Sequence, residues 1–140
     1  SIDLIPMKLP EKTIIASGPV IIEDGKVLLN REQKVSGVTP WMFPGGAIED
    51  FDITLEEVCR REVKEEMGID VEIIRPLRTL LVNRPDNIGK AILVHFLARR
   101  IGEIKAADNI VEWAWQNINA LPEHCAPNVY EIIEDIKKEI

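Results

Sequence analysis

The order of apolar and polar positions predicts two strands and a hairpin near the start of the chain. Ile14 to Glu23 is rich in β-branched residues and is predicted to be extended. Asp24-Gly25 predicts a tight turn into a second strand over Lys26–Asn30. Residues 31–40 contain Ser, Gly and Pro and are predicted to form a loop.

Two further apolar stretches, Val71–Val82 and Lys90–Ala98, predict two long strands joined across residues 84–89. Ala91–Ala98 is nearly all apolar, which is typical of a central strand that is covered on both faces.

The end of the chain predicts one more strand and a helix. Val111, Trp113 and Trp115 alternate with Glu112 and Ala114, as in a strand. A last helix is predicted to begin near Pro127, because one face would carry apolar residues at helical spacing. These residues are Val129, Ile132, Ile133, Ile136 and Ile140. We therefore expect an α+β fold, a mixed sheet flanked by helices, in one domain over residues 1–140.

The most complete helix signals lie between Thr54 and Gly68. Thr54 is the predicted N-cap, with Glu57 as its capping-box partner, and Gly68 is the predicted stop. Ile53 and Val58 are predicted to pack together as a hydrophobic staple. The apolar stripe of this helix consists of Leu55, Val58, Cys59 and Val63.

Composition narrows the classes of function. The chain has 140 residues and a net charge of −7, so we expect no binding to duplex nucleic acid, whose phosphates it would repel. No apolar run approaches the roughly 20 residues of a membrane span, and residues 1–8 do not resemble a signal peptide. Cys59 and Cys125 lack metal-type spacing and are expected to be reduced thiols. We expect a cytoplasmic protein.

Three glutamates on the predicted helix are candidates for a metal site. Glu62, Glu65 and Glu66 have i, i+3 and i+4 spacing, and like charges at this spacing destabilise a helix. A divalent cation removes that conflict, because Mg²⁺ prefers oxygen ligands. A solvated acidic face is the alternative, but Glu62 continues the apolar stripe and should lie at the edge of the core. Pro44-Gly45-Gly46 lies just upstream, where bare backbone can approach a ligand.

These residues together resemble the Nudix box. The resemblance is carried by Pro44-Gly45-Gly46, followed by Arg61-Glu62-Val63-Lys64-Glu65-Glu66-Met67-Gly68-Ile69. It implies a Nudix-like α/β/α sandwich that hydrolyses a nucleoside diphosphate linked to another moiety, with Mg²⁺ or Mn²⁺ as cofactor. From Gly46 to Arg61 the chain has one residue more than the family pattern. Asp52 is the nearest substitute for the first glutamate of the box.

The resemblance also implies roles for individual residues. Glu62, Glu65 and Glu66 would bind the metal, together with the backbone carbonyl of Gly46 or of Ala47. Glu65 would be the general base, and Arg61 would orient a carboxylate by a charge-assisted hydrogen bond. An ordinary surface pair between Arg61 and Glu65 is the alternative.

Three other residues are weaker candidates for the site. Glu112 is a possible additional carboxylate of the site, as a metal ligand or general base, or else a solvent-facing strand residue. Arg31 could contact a phosphate or ribose, or be an exposed surface residue. The backbone of Gly45 is expected to approach the substrate.

His95 and the two tryptophans have simpler expected roles. His95 is expected to be a hydrogen-bonded core or cleft residue rather than a catalyst. Trp113 and Trp115 are expected to be core residues rather than platforms for base stacking.

The sequence leaves both the activity and the substrate open. One alternative is a catalytically inactive Nudix-fold module that binds and senses a nucleotide. An allylic-diphosphate isomerase would need a catalytic cysteine, and neither Cys59 nor Cys125 fits. We expect a small nucleotide substrate, either a nucleoside triphosphate or an ADP-ribose-like molecule, and a monomer or homodimer.

Overall fold

The structure, a computed structural model, describes residues 12–84 and 88–140. Residues 1–8, in which no signal peptide was expected, and part of the predicted 84–89 turn lie outside these ranges. In chain order, the elements are β1 (Ile14–Glu23), β2 (Lys26–Lys34), β3 (Gly37–Val38), β4 (Gly46–Ala47), α1 (Leu55–Met67), β5 (Asp70–Pro76), β6 (Leu80–Asn83), β7 (Lys90–Ile101), β8 (Ile110–Asn117) and α2 (Pro127–Glu139).

The strands form a mixed sheet with the order β3-β2-β1-β7-β5. Strands β4, β6 and β8 pair with β1, β7 and β2 respectively. The β1–β7 pair is parallel, whereas β5 and β6 are antiparallel to β7. Strand β7 thus has neighbours on both edges, which confirms the predicted central strand.

The two helices lie on opposite faces of the sheet. Successive residues of β1 show this, because Val20 packs in a cluster with residues of α2 and Ile21 packs in a cluster with residues of α1. This alternation is the period of two that a strand imposes on its side chains. The expected α+β sandwich is confirmed. Within the two described ranges, no helix is long and apolar enough to cross a membrane.

The first hairpin forms as predicted, but its second strand is longer. Asp24 and Gly25 both have positive φ values, 51° and 74°, as a tight two-residue hairpin turn requires. Strand β2 continues past Asn30 to Lys34 and pairs there with β3. The prediction of a loop from residue 31 was therefore wrong. The added backbone pairing outweighs the polar character of these residues.

The predicted single strand Val71–Val82 is two strands. Strand β5 ends at Pro76, and β6 begins at Leu80. Between them, the backbone N–H of Leu77 donates to the carbonyl of His95 at 2.9 Å. Both short strands pair with β7, which is 12 residues long and can take two partners along one edge.

Helix α1 has the predicted ends but lacks the predicted staple. The Thr54 side chain accepts a hydrogen bond from the N–H of Glu57 at 3.2 Å, and Gly68 ends the helix with φ 69°. Ile53 is 86% exposed, so it does not pack on Val58 as a staple. Ile140 is also outside the core, at 88% exposed, although the other four apolar residues of the α2 face are buried.

Candidate active site

Helix α1 presents its three candidate glutamates to different surroundings. Glu66 is only 7% exposed, and the Glu62 side chain is 13% exposed. The Glu65 side chain is 58% exposed. Two carboxylates of the predicted set are therefore held against the sheet, and the third faces solvent. The expectation that Glu62 lies at the edge of the core is confirmed.

The glycine turn before α1 contacts both buried carboxylates. The N–H of Gly45 donates to Oε2 of Glu66 at 3.2 Å. A Cβ at Gly46 would lie 2.5 and 2.6 Å from the two carboxylate oxygens of Glu62. A Cβ at Gly45 would lie 2.7 Å from the carbonyl oxygen of Ser17. Glycine at position 46 therefore lets the Glu62 carboxylate approach the backbone, and glycine at position 45 lets the turn pack against β1.

Glu66 has a second partner from β2. The amide Nδ2 of Asn30, a residue only 1% exposed, donates to Glu66 at 3.4 Å. Burial raises the pKa of Glu66 to about 8; the Gly45 and Asn30 hydrogen bonds oppose this rise, and the nearby Glu32 and Glu62 charges add to it. Within the described part of the chain, the Arg61 pairs go to other carboxylates and none reaches Glu66. Glu66 is thus a buried acid without a counter-charge.

Arg61 connects the loop before α1 with the carboxylates of the helix. Its Nε and Nη2 donate to the two oxygens of Asp52 at 3.3 and 2.7 Å. Its Nη1 donates to Glu62 at 3.1 Å and lies 3.6 Å from Glu65. The guanidinium also lies over the ring of Phe51, 5.1 Å from the ring centroid. Asp52 thus takes a supporting position beside Arg61 despite the extra residue.

The pKa of Glu62 is raised, as is the pKa of Glu66. Burial, followed by the charge of Glu65, raises the pKa of Glu62, and Arg61 opposes this rise. Two partly desolvated carboxylates beside bare glycine backbone are suitable donors for a hard divalent cation such as Mg²⁺. Across residues 12–84 and 88–140, however, no three acidic, histidine or cysteine side chains are already grouped as a ligand set. The donor chemistry fits a cation, and Glu65 is paired with Arg61 instead.

Arg31 and Glu112 lie together, away from the carboxylates of α1. They are opposite each other in the β2–β8 pair, with Nη1 of Arg31 3.7 Å from Oε1 of Glu112. Asn30, the neighbour of Arg31 in β2, contacts Glu66. Because side chains alternate along a strand, those of Arg31 and Glu112 project from the opposite face of the sheet. The structure thus brings together Arg61, Glu62, Glu66 and the two glycines, but not Arg31 and Glu112.

The two tryptophans of β8 differ in their surroundings. Trp115 is partly buried, packs against the α1 cluster, and has the guanidinium of Arg100 at 5.8 Å from its ring. Trp113 is 39% exposed, so the prediction that it belongs to the core was wrong. It lies opposite Asn30 in the β2–β8 pair, on the same face of the sheet as the carboxylate site.

His95 is a satisfied core residue, as predicted. It is 4% exposed, and its Nδ1–H donates to the carbonyl of Arg78 at 3.0 Å. Its Nε2 then accepts from the amide of Asn128 at 3.0 Å. Burial lowers the pKa of His95, which keeps the ring neutral.

Sequence reasoning missed two residues of the site, Asn30 and Glu32. The signal for Asn30 is a polar residue directly after the apolar run Val27-Leu28-Leu29. Glu32 lies two residues further along the same face, is 12% exposed at its side chain, and accepts from Asn109 at 2.7 Å. A polar residue that follows buried positions in strand register is a usable sign of a site at the edge of a sheet.

The family model of the NUDIX domain matches residues 12–136. The chain belongs to the Nudix family. The match covers most of the chain and includes every residue of the carboxylate site. It confirms the family and the class of enzyme expected from the box motif, a pyrophosphohydrolase.

Other Nudix proteins are similar to most of the chain. An ADP-ribose pyrophosphatase of Methanocaldococcus jannaschii is 30% identical over 122 residues, which cover 86% of this chain and 72% of that protein. Nucleoside triphosphatase NudI of Escherichia coli is 28% identical over 117 residues, covering 75% and 81%. The crystal structure of a MutT NUDIX hydrolase from Burkholderia pseudomallei superposes with a TM-score of 0.80 at 23% identity, covering 90% and 99%. This last likeness supports the Nudix fold.

Proposed function

We propose that the protein hydrolyses a diphosphate linkage in a nucleoside diphosphate derivative, using Mg²⁺ or Mn²⁺. Nudix relatives named as an ADP-ribose pyrophosphatase and a nucleoside triphosphatase support two substrate classes. ADP-ribose-like molecules and nucleoside triphosphates share the linkage, a phosphoric anhydride next to a nucleoside.

The observation that supports this proposal best is the buried state of Glu66. A carboxylate that is 7% exposed and has only two neutral donors among the described residues is costly to keep ionised. Glu62 lies beside it, also largely buried, against the backbone of Gly46. Such a pair becomes favourable when a cation supplies the missing positive charge.

The residues that would hold the cation are Glu62, Glu66 and the backbone carbonyl of Gly46, joined by Glu65. A divalent cation bound there supplies positive charge for the phosphate oxygens and lowers the pKa of a coordinated water. Arg61 keeps the Glu62 carboxylate in place through its hydrogen bond, while Asp52 fixes the guanidinium from the other side.

In the reaction, a water oxygen forms a bond to one phosphorus, and the bond from that phosphorus to the bridging oxygen breaks. Glu65 is the proposed general base, because its exposed carboxylate can take the proton of the attacking water. The proton then passes to solvent, and the leaving phosphate departs with the bridging oxygen. Arg31 and Glu112 form an ion pair with each other. Substrate binding by Arg31 and a role for Glu112 as metal ligand or base stay predictions.

The test is hydrolysis by the purified protein of a nucleoside triphosphate panel and of ADP-ribose, with Mg²⁺ or with a chelator. We expect cleavage only with the metal, and incorporation of ¹⁸O from labelled water into one product. Glu65→Gln should lower kcat by about 10²-fold or more if Glu65 is the base. Glu56→Gln, an exposed position on the same helix, is the matched control and should keep activity.

Two outcomes would overturn parts of this proposal. Full activity in Glu65→Gln together with lost activity in Glu112→Gln would move the general base to β8. Tight nucleotide binding without any cleavage across the panel would favour a nucleotide-sensing module instead.

A further inference from the structure

Ser17 is a buried residue whose hydroxyl makes no hydrogen bond with the described residues. It lies in β1 and is only 2% exposed. Over the two described ranges, its Oγ is the sole buried side-chain nitrogen or oxygen that lacks a hydrogen-bond partner. Buried hydroxyl groups are normally paired, because leaving one unpaired costs stability. An unpaired one next to a functional site suggests a partner that the fold alone does not supply.

The register of β1 and β4 directs Ser17 towards the carboxylate site. Ser17 and Gly46 are directly opposite each other in this antiparallel pair, so their side-chain directions share one face. That face is the one covered by α1, since Ile21, four residues along β1, packs with α1 residues.

Glu62 lies in the space that a Gly46 side chain would fill. Its Oε2 is 2.5 Å from the position of a Gly46 Cβ. The Cβ atoms of directly opposite residues are about 4.5–5.5 Å apart. The Ser17 hydroxyl, one bond beyond its Cβ, therefore faces the same space as the Glu62 carboxylate, and no hydrogen bond joins the two groups in this structure.

The two oxygens of Glu62 are not equally supported. Oε1 accepts a hydrogen bond from Arg61 at 3.1 Å. Oε2 accepts none from any residue in the part of the chain that the structure describes. A donor without an acceptor and an acceptor without a donor thus share the space beside Gly46.

We propose that Ser17 is a positioning residue that donates its hydroxyl hydrogen bond to Glu62, directly or through one water, when the divalent cation is bound. This inference rests on the proposed function and adds to it a residue outside the Nudix box. Arg61 and Ser17 would hold the Glu62 carboxylate from its two oxygens. Partners that orient a metal ligand in this way typically change metal affinity by about 10- to 100-fold.

A different effect of substitution is expected if Ser17 has a purely structural role. If Ser17 is only a small residue that lets α1 approach the sheet, alanine should serve equally well. Removing an unpaired buried hydroxyl should then leave metal affinity unchanged and keep or raise the melting temperature.

The experiment measures Mn²⁺ affinity by electron paramagnetic resonance, and the metal-free melting temperature, for wild type and Ser17→Ala. Ser36→Ala, on an exposed loop, is the control. We expect Ser17→Ala to weaken Mn²⁺ binding by about 10-fold with no fall in the metal-free melting temperature. In a Glu62→Ala background, the effect of Ser17→Ala should shrink to less than about 2-fold, because the two residues act together.

Unchanged affinity in Ser17→Ala, with normal Mn²⁺ binding by wild type, would overturn this inference and leave the proposed function standing. A fall in affinity matched by a lower metal-free melting temperature would also overturn it, in favour of packing. Absence of Mn²⁺ binding by the wild type would overturn both.

Discussion

The two faces of the sheet are built from similar apolar residues but treat their polar groups differently. On the face covered by α2, His95 has both ring nitrogens hydrogen-bonded within the fold. On the face covered by α1, Glu66 is buried without a counter-charge from the described residues, and the Ser17 hydroxyl has no hydrogen-bond partner among them. A face whose polar groups are satisfied internally serves the fold, whereas a face whose polar groups need a further partner is suited to bind one.

The largest expected effect comes from substituting two adjacent residues of β2, one on each face of the sheet. Leu28 packs on the α1 face and Leu29 on the α2 face, and both are fully buried. Each substitution to alanine should lower the free energy of unfolding by about 2–5 kcal/mol. Only Leu28→Ala, which loosens the packing of Val63 and Met67, should also weaken the rise in melting temperature caused by Mg²⁺. Thermal melts with and without Mg²⁺ measure the loss of stability and the rise in melting temperature caused by Mg²⁺. An equal rise in the two variants would contradict the difference between the two faces.

The next largest effect is expected from Glu66→Gln. Gln is neutral and can still accept the Gly45 N–H, so the metal-free protein should be as stable as wild type or more stable. Hydrolysis should fall by about 10²-fold, because a carboxylate ligand is lost. Steady-state kinetics and a urea melt of each protein give the two quantities. A large loss of metal-free stability with activity retained would show that Glu66 is structural.

Arg61→Lys should have a smaller effect. Lysine keeps the charge but cannot make the two-pronged contact with Asp52 while also donating to Glu62. We expect kcat to fall by about 10-fold with a metal-free melting temperature close to that of wild type. If Arg61→Lys is fully active, the two-pronged geometry is not needed to orient Glu62.

The smallest effect concerns pH and the α2 face. Because burial lowers the pKa of His95, the unfolded chain binds this proton at higher pH than the folded chain. The free energy of unfolding should therefore fall as pH drops below about 6.5 and level off below the folded pKa. The groups facing the ring are the Arg78 carbonyl, the Asn128 amide and the Phe43 ring, with the charges of Arg78 and Asp135 nearby.

Urea melts between pH 5 and 7 compare wild type with His95→Gln, and the exposed His124→Gln is the control. The wild type and His124→Gln should lose more stability towards pH 5 than His95→Gln does. Equal pH dependence in all three would contradict a neutral, buried His95.

Local sequence signals predicted the helix that carries the site, but they could not predict the contacts between residues far apart in the chain. The two ends of α1, at Thr54 and Gly68, and the spacing of Glu62 and Glu66 all lie within one short segment. A local sequence pattern can therefore predict them. The Asn30–Glu66 contact joins residues 36 positions apart and depends on how β2 packs against α1. The approach of Ser17 to Gly46 depends likewise on strand register, which no local pattern specifies.

The wrong predictions have similar physical causes. The staple at Ile53 failed in the loop that carries the extra residue, where Asp52 instead turns to Arg61. Trp113 was expected in the core because Trp113 and Glu112 lie on opposite faces of the strand. This alternation identifies the two faces, but it does not show which part of a face is covered by other elements. Among the described strands β8 pairs with β2, and the Trp113 ring on β8 is left 39% exposed.

The central claim is that the α1 face binds a divalent cation at its buried carboxylates, and a crystal soaked in Mn²⁺ tests it most directly. We expect an anomalous-difference peak within coordination distance, roughly 2.0–2.3 Å, of the Glu62 and Glu66 carboxylates and the Gly46 carbonyl. A crystal that diffracts well in millimolar Mn²⁺ and shows no peak there, or shows its strongest peak elsewhere, would contradict it.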